Sequence, residues 1–132
     1  MEKPLMTKPW SQISEFYCEL VKAPTMTDVS IVGMADLVKQ IEASRYAADL
    51  HAWTSMFTLL VVQTPVSYPY DGQRLTISPI GNGKIEFRFI DSFKEEGQWH
   101  RVVDQGEAFR CFERFLDKLH WFRFDGSEGE RK

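Results

Sequence analysis

Cysteine is scarce in this chain: Cys18 and Cys111 stand far apart and form no CxxC pair. That excludes a disulfide-stapled scaffold and the common zinc spacings. A basic surplus is missing as well. The 132 residues carry a formal net charge of −3, with Lys and Arg interleaved among Asp and Glu. Binding to phosphate backbones needs a concentrated basic surface, so no nucleic-acid partner is expected. Long apolar runs are absent too. The longest, "MFTLLVV" from Met56 to Val62, is far too short to cross a bilayer, and no membrane partner is expected. The opening "MEKPLMTKPW" carries Glu2, two prolines and no apolar core of a secretion signal. A cytoplasmic protein with free thiols is the expectation.

Motifs of catalysis are also lacking. The chain has no G-x-S-x-G, no Walker A, no G-x-G-x-x-G and no H-E-x-x-H. No cofactor is implied, and the reading leans away from an enzyme. "GNGK" at Gly81–Lys84 superficially resembles a phosphate loop but lies between two alternating segments, where it reads as a hairpin turn. "KIEFRF" alternates aromatics with charge as an RNA-binding strand does, but its Phe residues fall on the face assigned to the core.

What the chain has in quantity is aromatic residues: ten Phe, four Trp and four Tyr. Its length fits one domain, read as residues 1–124, followed by a polar tail, 125–132. Ile13, Phe16, Tyr17, Leu20 and Val21 follow the apolar spacing of a surface helix, with Ser11 as N-cap and Pro24 beyond its end. "TDVSIV" fits either a short strand or a lead-in to the helix predicted over "GMADLVKQIEASR". "LHAWTSMFTLLVVQ" is apolar on both alternating faces, the pattern of a central strand covered on both sides. In "RLTISPIGNGKIEFRFID" the buried face sets the register. Pairing Ile77 with Phe87 and Leu75 with Phe89 requires a three-residue loop, Gly81-Asn82-Gly83, with a G1 bulge. "SFKEEG" then reads as a second hairpin loop before the strand "QWHRVV".

Asp104 and Glu107 have capping-box spacing, with Val103 and Ala108 placed as a staple. The helix over "QGEAFRCFERFLDKLHWF" gathers Ala108, Cys111, Phe112, Phe115, Leu116, Leu119 and Phe122 on one arc. Arg110, Glu113, Arg114 and Asp117 lie opposite. The fold class is therefore α+β: N-terminal helices, an antiparallel meander of about four strands, and a C-terminal helix packed on one sheet face.

Each of the three histidines has a tryptophan within two positions: His51 with Trp53, His100 with Trp99, His120 with Trp121. None of the spacings is a metal-ligand spacing, and no metal is expected. Trp and His are border residues, apolar in body and polar at the tip, which accounts for most such pairs. Two constellations remain. Helical geometry points Trp121 away from the core beside Arg110 and Arg114, a Trp–Arg patch suited to a protein partner or a second copy. His51, Trp53 and His100, with Glu86 and Arg88, form the alternative: a pocket between sheet and helices for a small molecule or acid–base chemistry, with Arg101 expected alongside.

The segments "HAWTSMF", "YPYDGQRLTISP", "IEFRFID", "QWHR" and "FERFLDKLHWF" resemble small bacterial families of uncharacterised function, and the architecture is similar to some toxin-immunity proteins. The likeness covers residues 50–122, implies a bacterial cytoplasmic protein and assigns no residue a role. The leading expectation is a non-enzymatic protein-interaction domain. A small-molecule binder is the alternative.

Overall fold

The apolar stripe of the first segment needs a surface to cover, and the sheet provides it. A computed structural model of the protein describes residues 6–23, 29–67, 70, 72–90, 99–119 and 121. Helices α1 (Trp10–Lys22) and α2 (Val29–Glu42) precede strands β1 (His51–Ser55), β2 (Thr58–Val62), β3 (Arg74–Gly81), β4 (Lys84–Ile90) and β5 (Trp99–Asp104). Helix α3 (Ala108–Leu119) follows. The strands form one antiparallel sheet in the order β1-β2-β3-β4-β5. This is the expected α+β meander with one strand more than the pattern predicts.

The extra strand arises because "HAWTSMFTLLVV" folds back on itself. Ser55 pairs with Thr58 across a two-residue turn at Met56-Phe57. That turn contains no Gly, Asn, Asp or Pro, so the usual local signals are missing. Met56 sits at φ 57°, a left-handed conformation rare for such a side chain. A tertiary bond substitutes for turn chemistry: the Tyr17 hydroxyl on α1 donates to the Phe57 carbonyl at 2.9 Å. Met56→Asn, which tolerates positive φ, should raise stability by up to about 1 kcal/mol. Chemical denaturation midpoints would register the change.

The β3–β4 hairpin has the predicted register but a different loop. Leu75 pairs with Phe89, Thr76 with Arg88, Ile77 with Phe87 and Ser78 with Glu86. Gly81 pairs with Lys84, so the loop itself is the two-residue Asn82-Gly83, at φ 57° and 73°. Positive φ at both positions is the type I′ turn that Asn-Gly favours. The register slips between Pro79 and Gly81, where Ile80 bulges out. The bulge lets the turn preference and the buried face both be satisfied.

Three helix ends differ from expectation. Helix α1 begins at Trp10 with Pro9 as its N-cap, not at Ser11. Val29–Val32 form the first turn of α2, which settles the strand-or-helix ambiguity there. Asp104 makes no capping hydrogen bond; its carboxylate pairs with Lys84 at 2.6 Å, and a short 3₁₀ turn, Gln105–Glu107, leads into α3. The expectations for "SFKEEG", His120, Phe122 and the tail fall outside the described residues.

All three helices lie on one side of the sheet. Trp10, Ile13 and Tyr17 of α1, Met34, Leu37, Val38 and Ile41 of α2, and Phe112, Phe115 and Leu116 of α3 are buried there. They meet Leu59 and Val61 of β2, Leu75 and Ile77 of β3, and Ile85, Phe87 and Phe89 of β4. Phe87 stacks on Phe115 at 5.6 Å between centroids. Alternation along the strands thus gives one helix-covered face and an open opposite face, on which Trp53 of β1, edge-on to Tyr70, and Val62 of β2 are nonetheless buried.

Gly33 lets α2 approach the lead-in to α3. A Cβ at this position would lie 2.5 Å from Gln105 Cβ. Gly33→Ala should therefore destabilise by about 1–3 kcal/mol, outweighing the roughly 1 kcal/mol gained in helix propensity. Because the clash is with a Cβ, Gln105→Ala would not relieve it. Thermal unfolding of the single and double variants would show this.

Burial also sets an alkaline limit. Tyr17 is fully buried, and desolvation raises its phenol above the ordinary value near 10. A raised folded pKa means the contribution is intact below pH ~10 and is lost as the pH climbs toward the folded value. Tyr17→Phe should lose about 1 kcal/mol at neutral pH, through the missing hydrogen bond, but show a shallower decline above pH ~10. A pH series of unfolding free energies would separate the two effects.

Candidate functional site

The alternation of β4 and β5 sorts the chemistry-bearing residues onto two faces. Ile85, Phe87 and Phe89 face the helices, paired with Val103, Arg101 and Trp99. Glu86 and Arg88 face the other way, paired with Val102 and His100.

On the open face, Glu86 Oε2 accepts from Arg88 Nη2 at 3.0 Å and lies 2.9 Å from His100 Nε2. Arg88 and His100 are exposed, and an exposed ion pair such as Arg88–Glu86 contributes only about 0–1 kcal/mol. His51 and Trp53 lie on this face too, but on β1 at the opposite edge. Four strand spacings separate β1 from β5, roughly 19 Å at about 4.8 Å per strand. The five residues expected to line a pocket between sheet and helices instead lie on the face away from the helices, divided between β1 at one edge and β4 and β5 toward the other. No single small molecule touches both groups. Arg101, expected beside His100, is on the helix face instead, because it alternates with His100 along β5.

The Trp–Arg patch is also redrawn. Trp121 is only 8% exposed and meets Phe89 edge-on at 5.9 Å between ring centroids. The expected continuous helix through Phe122 stops at Leu119. The Trp121 N–H donates to the Leu116 carbonyl at 3.0 Å, the 6→1 bond that closes many helix C-termini. That closure takes Trp121 off the helical path and into the core.

Arg110 and Arg114, by contrast, do border a groove, and its aromatic residue is Trp99. The groove lies between β5 and α3 and has a volume of about 300 Å³. Trp99, Val103, Cys111 and Phe115 form its floor, with Trp99 edge-on against Phe115. Arg101, Arg110, Arg114 and Lys118 stand around it, with Glu107 as the one acidic residue of the described lining. Lys118 Nζ lies 5.0 Å from the Trp99 ring centroid and Arg101 Cζ lies 5.9 Å from it, both within cation–π range.

The charge arrangement is unusual for a surface that serves only packing. Arg110, Arg114 and Lys118 occupy i, i+4 and i+8 of α3, where like charges repel by a few tenths of a kcal/mol per pair. Glu107 answers Arg110 at 3.4 Å. Among the described residues, no carboxylate lies within ion-pair distance of Arg101, Arg114 or Lys118. Three cations thus flank an aromatic floor with no counter-ion among the described residues, in a chain whose net charge is negative.

Cys111 shows the balance of this environment. Burial pushes its thiol up to about 11, while Arg101 and Arg114 pull in the opposite direction. Desolvation wins, so the sulfur is a neutral thiol at physiological pH and part of the floor. Cys18 lies on α1, and both cysteines are free. Among the described residues, no group of three or more His, Cys, Asp or Glu is placed to hold a metal ion. No described helix is long and apolar enough to cross a membrane.

Trp99, Arg101, Cys111 and Lys118 were not singled out as groove residues by sequence reasoning. The signal was present in two periodicities: Trp99, Arg101 and Val103 alternate onto one face, and the basic residues of α3 recur every four positions. Comparison of the chain with protein-family models, with curated proteins and with solved structures gave no match. The groove must therefore be interpreted from its own chemistry.

Proposed function

We propose that this protein is a binding domain whose working surface is the β5–α3 groove, and that the groove takes an anionic partner. One observation carries the reading: Arg101, Arg114 and Lys118 surround Trp99 and Phe115, and among the described residues no carboxylate lies within ion-pair distance of these three cations. An anion with an apolar body would relieve the repulsion along α3 and cover the aromatic floor. Hydrogen bonds from guanidinium groups to carboxylate are the strong, charge-assisted kind. Among the described residues the groove's thiol is no activated nucleophile, since burial holds Cys111 protonated, and no histidine lines it. Binding rather than catalysis is the function this chemistry supports.

A pair of small probes tests it. 2-Naphthoate should raise the melting temperature of the native chain in a concentration-dependent way, as any ligand selective for the folded state does. Naphthylmethylammonium, with the same ring and the opposite charge, should not. Equal stabilisation by both probes, or by neither, would remove the reading.

A further inference from the structure

We propose that the anionic partner is an extended acidic segment of another protein, added to the outer edge of β5 as a further strand of the sheet. The proposal rests on the groove reading above and names its occupant. Three observations lead to it.

The two edges of the sheet are treated differently. The β1 edge is occupied by the chain's own N-terminal segment: Lys8 bridges Ala52, with the Lys8 N–H donating to the Ala52 carbonyl at 2.8 Å. On the β5 edge, no described residue pairs with the outer side. His100, Arg101, Val102 and Asp104 are all exposed there.

β5 is also built to pair. It keeps an unbroken six-residue register with β4 from Trp99 to Asp104, with no proline, glycine or bulge. Proteins usually blunt an open edge with those devices, because unpaired N–H and C=O groups recruit other strands. Among the described residues, the one deterrent is charge. Arg101 projects toward the helix side, next to Arg110, Arg114 and Lys118.

That charge selects the occupant. A second copy joined edge to edge through β5 would bring this cationic cluster against its own counterpart, which like-charge repulsion disfavours. A strand with Asp or Glu at alternate positions would instead present every carboxylate to the groove, since side chains two residues apart share a face at roughly 7 Å spacing. Its intervening residues would face Val102, which is 44% exposed, and His100. Backbone pairing would give affinity and the Arg–Lys cluster would give specificity, the division seen in strand-addition recognition generally.

The test uses the intact chain and a seven-residue peptide with Glu at positions 2, 4 and 6 and Thr elsewhere. Two N-methylated versions block alternate amides, one in each register, and 2-naphthoate reports the groove alone. A paired strand bonds its neighbour through every second residue. One methylated version should therefore lose at least about tenfold in affinity and the other should bind like the parent. Hydrogen exchange of β5 amides should slow with the parent peptide. Equal binding by both methylated versions, or protection elsewhere than β5, would overturn the strand while leaving 2-naphthoate binding intact. Failure of the peptide and of 2-naphthoate together would overturn the groove reading as well.

Discussion

Trp121→Ala is expected to destabilise the fold by about 3–5 kcal/mol, the usual effect of emptying a buried aromatic site. On a domain of this size that corresponds to a drop of roughly 10–20 °C in melting temperature. The indole is 8% exposed and packs against Phe89 at the sheet end of the core. Its backbone also closes α3 through the bond to Leu116, so the loss of its packing should loosen the last helical turn. Trp121→Phe keeps an aromatic against Phe89 and should recover more than half of the loss. If Trp121 were a surface anchor, truncation would leave melting unchanged and affect only association. Differential scanning calorimetry of the two variants distinguishes these cases.

Arg114→Glu should separate binding from stability. Reversing this charge places a carboxylate four residues from both Arg110 and Lys118, converting two repulsive pairs into attractive ones. Stability should hold or rise, by about 0.5 kcal/mol. Binding of 2-naphthoate should fall about tenfold or more, the effect of replacing a favourable ion pair of some 1–2 kcal/mol with repulsion. Added salt should weaken binding to the native chain and narrow the gap between native and variant. A residue serving only the fold would show the opposite pattern, reduced stability with unaltered binding. Calorimetric titration and thermal unfolding of the same samples provide both readings.

Much of the architecture was legible because the buried face imposes a period. Leu75, Ile77, Phe87 and Phe89 alternate strictly, and they set the β3–β4 register even though the loop joining them differs from expectation. The α3 arc of Ala108, Cys111, Phe112, Phe115 and Leu116 was equally plain, and all five are buried. What escaped was decided by contacts distant in sequence. The Met56-Phe57 turn is held by Tyr17, forty positions away, and nothing local announces it. Asp104 has the spacing of a cap yet pairs with Lys84 on the neighbouring strand. Trp121 was misplaced for a related reason. Helical periodicity was carried past Leu119, where a backbone closure ends the helix and redirects the chain.

The candidate site was half visible. Arg110 and Arg114, expected beside Trp121, line a groove whose tryptophan is Trp99 of β5 rather than the one at the end of α3. Which strand packs beside a helix is set by how the helix crosses the sheet, and periodicity within α3 does not reveal that it lies over β4 and β5. His51, Trp53, His100, Glu86 and Arg88 share a face, since alternation fixes that much, but it is the face away from the helices and not the one expected to form a pocket with them. Their separation across the sheet depends on strand number and order, which alternation does not encode.

Side-chain-resolved NMR of the native chain titrated with 2-naphthoate tests the central claim most directly. The largest shifts should fall on the Trp99 indole N–H and the guanidinium N–H groups of Arg101 and Arg114, with the Trp53 indole unmoved. Shifts centred on His100 and Glu86, or on Trp53, would place binding on the open sheet face and contradict the account.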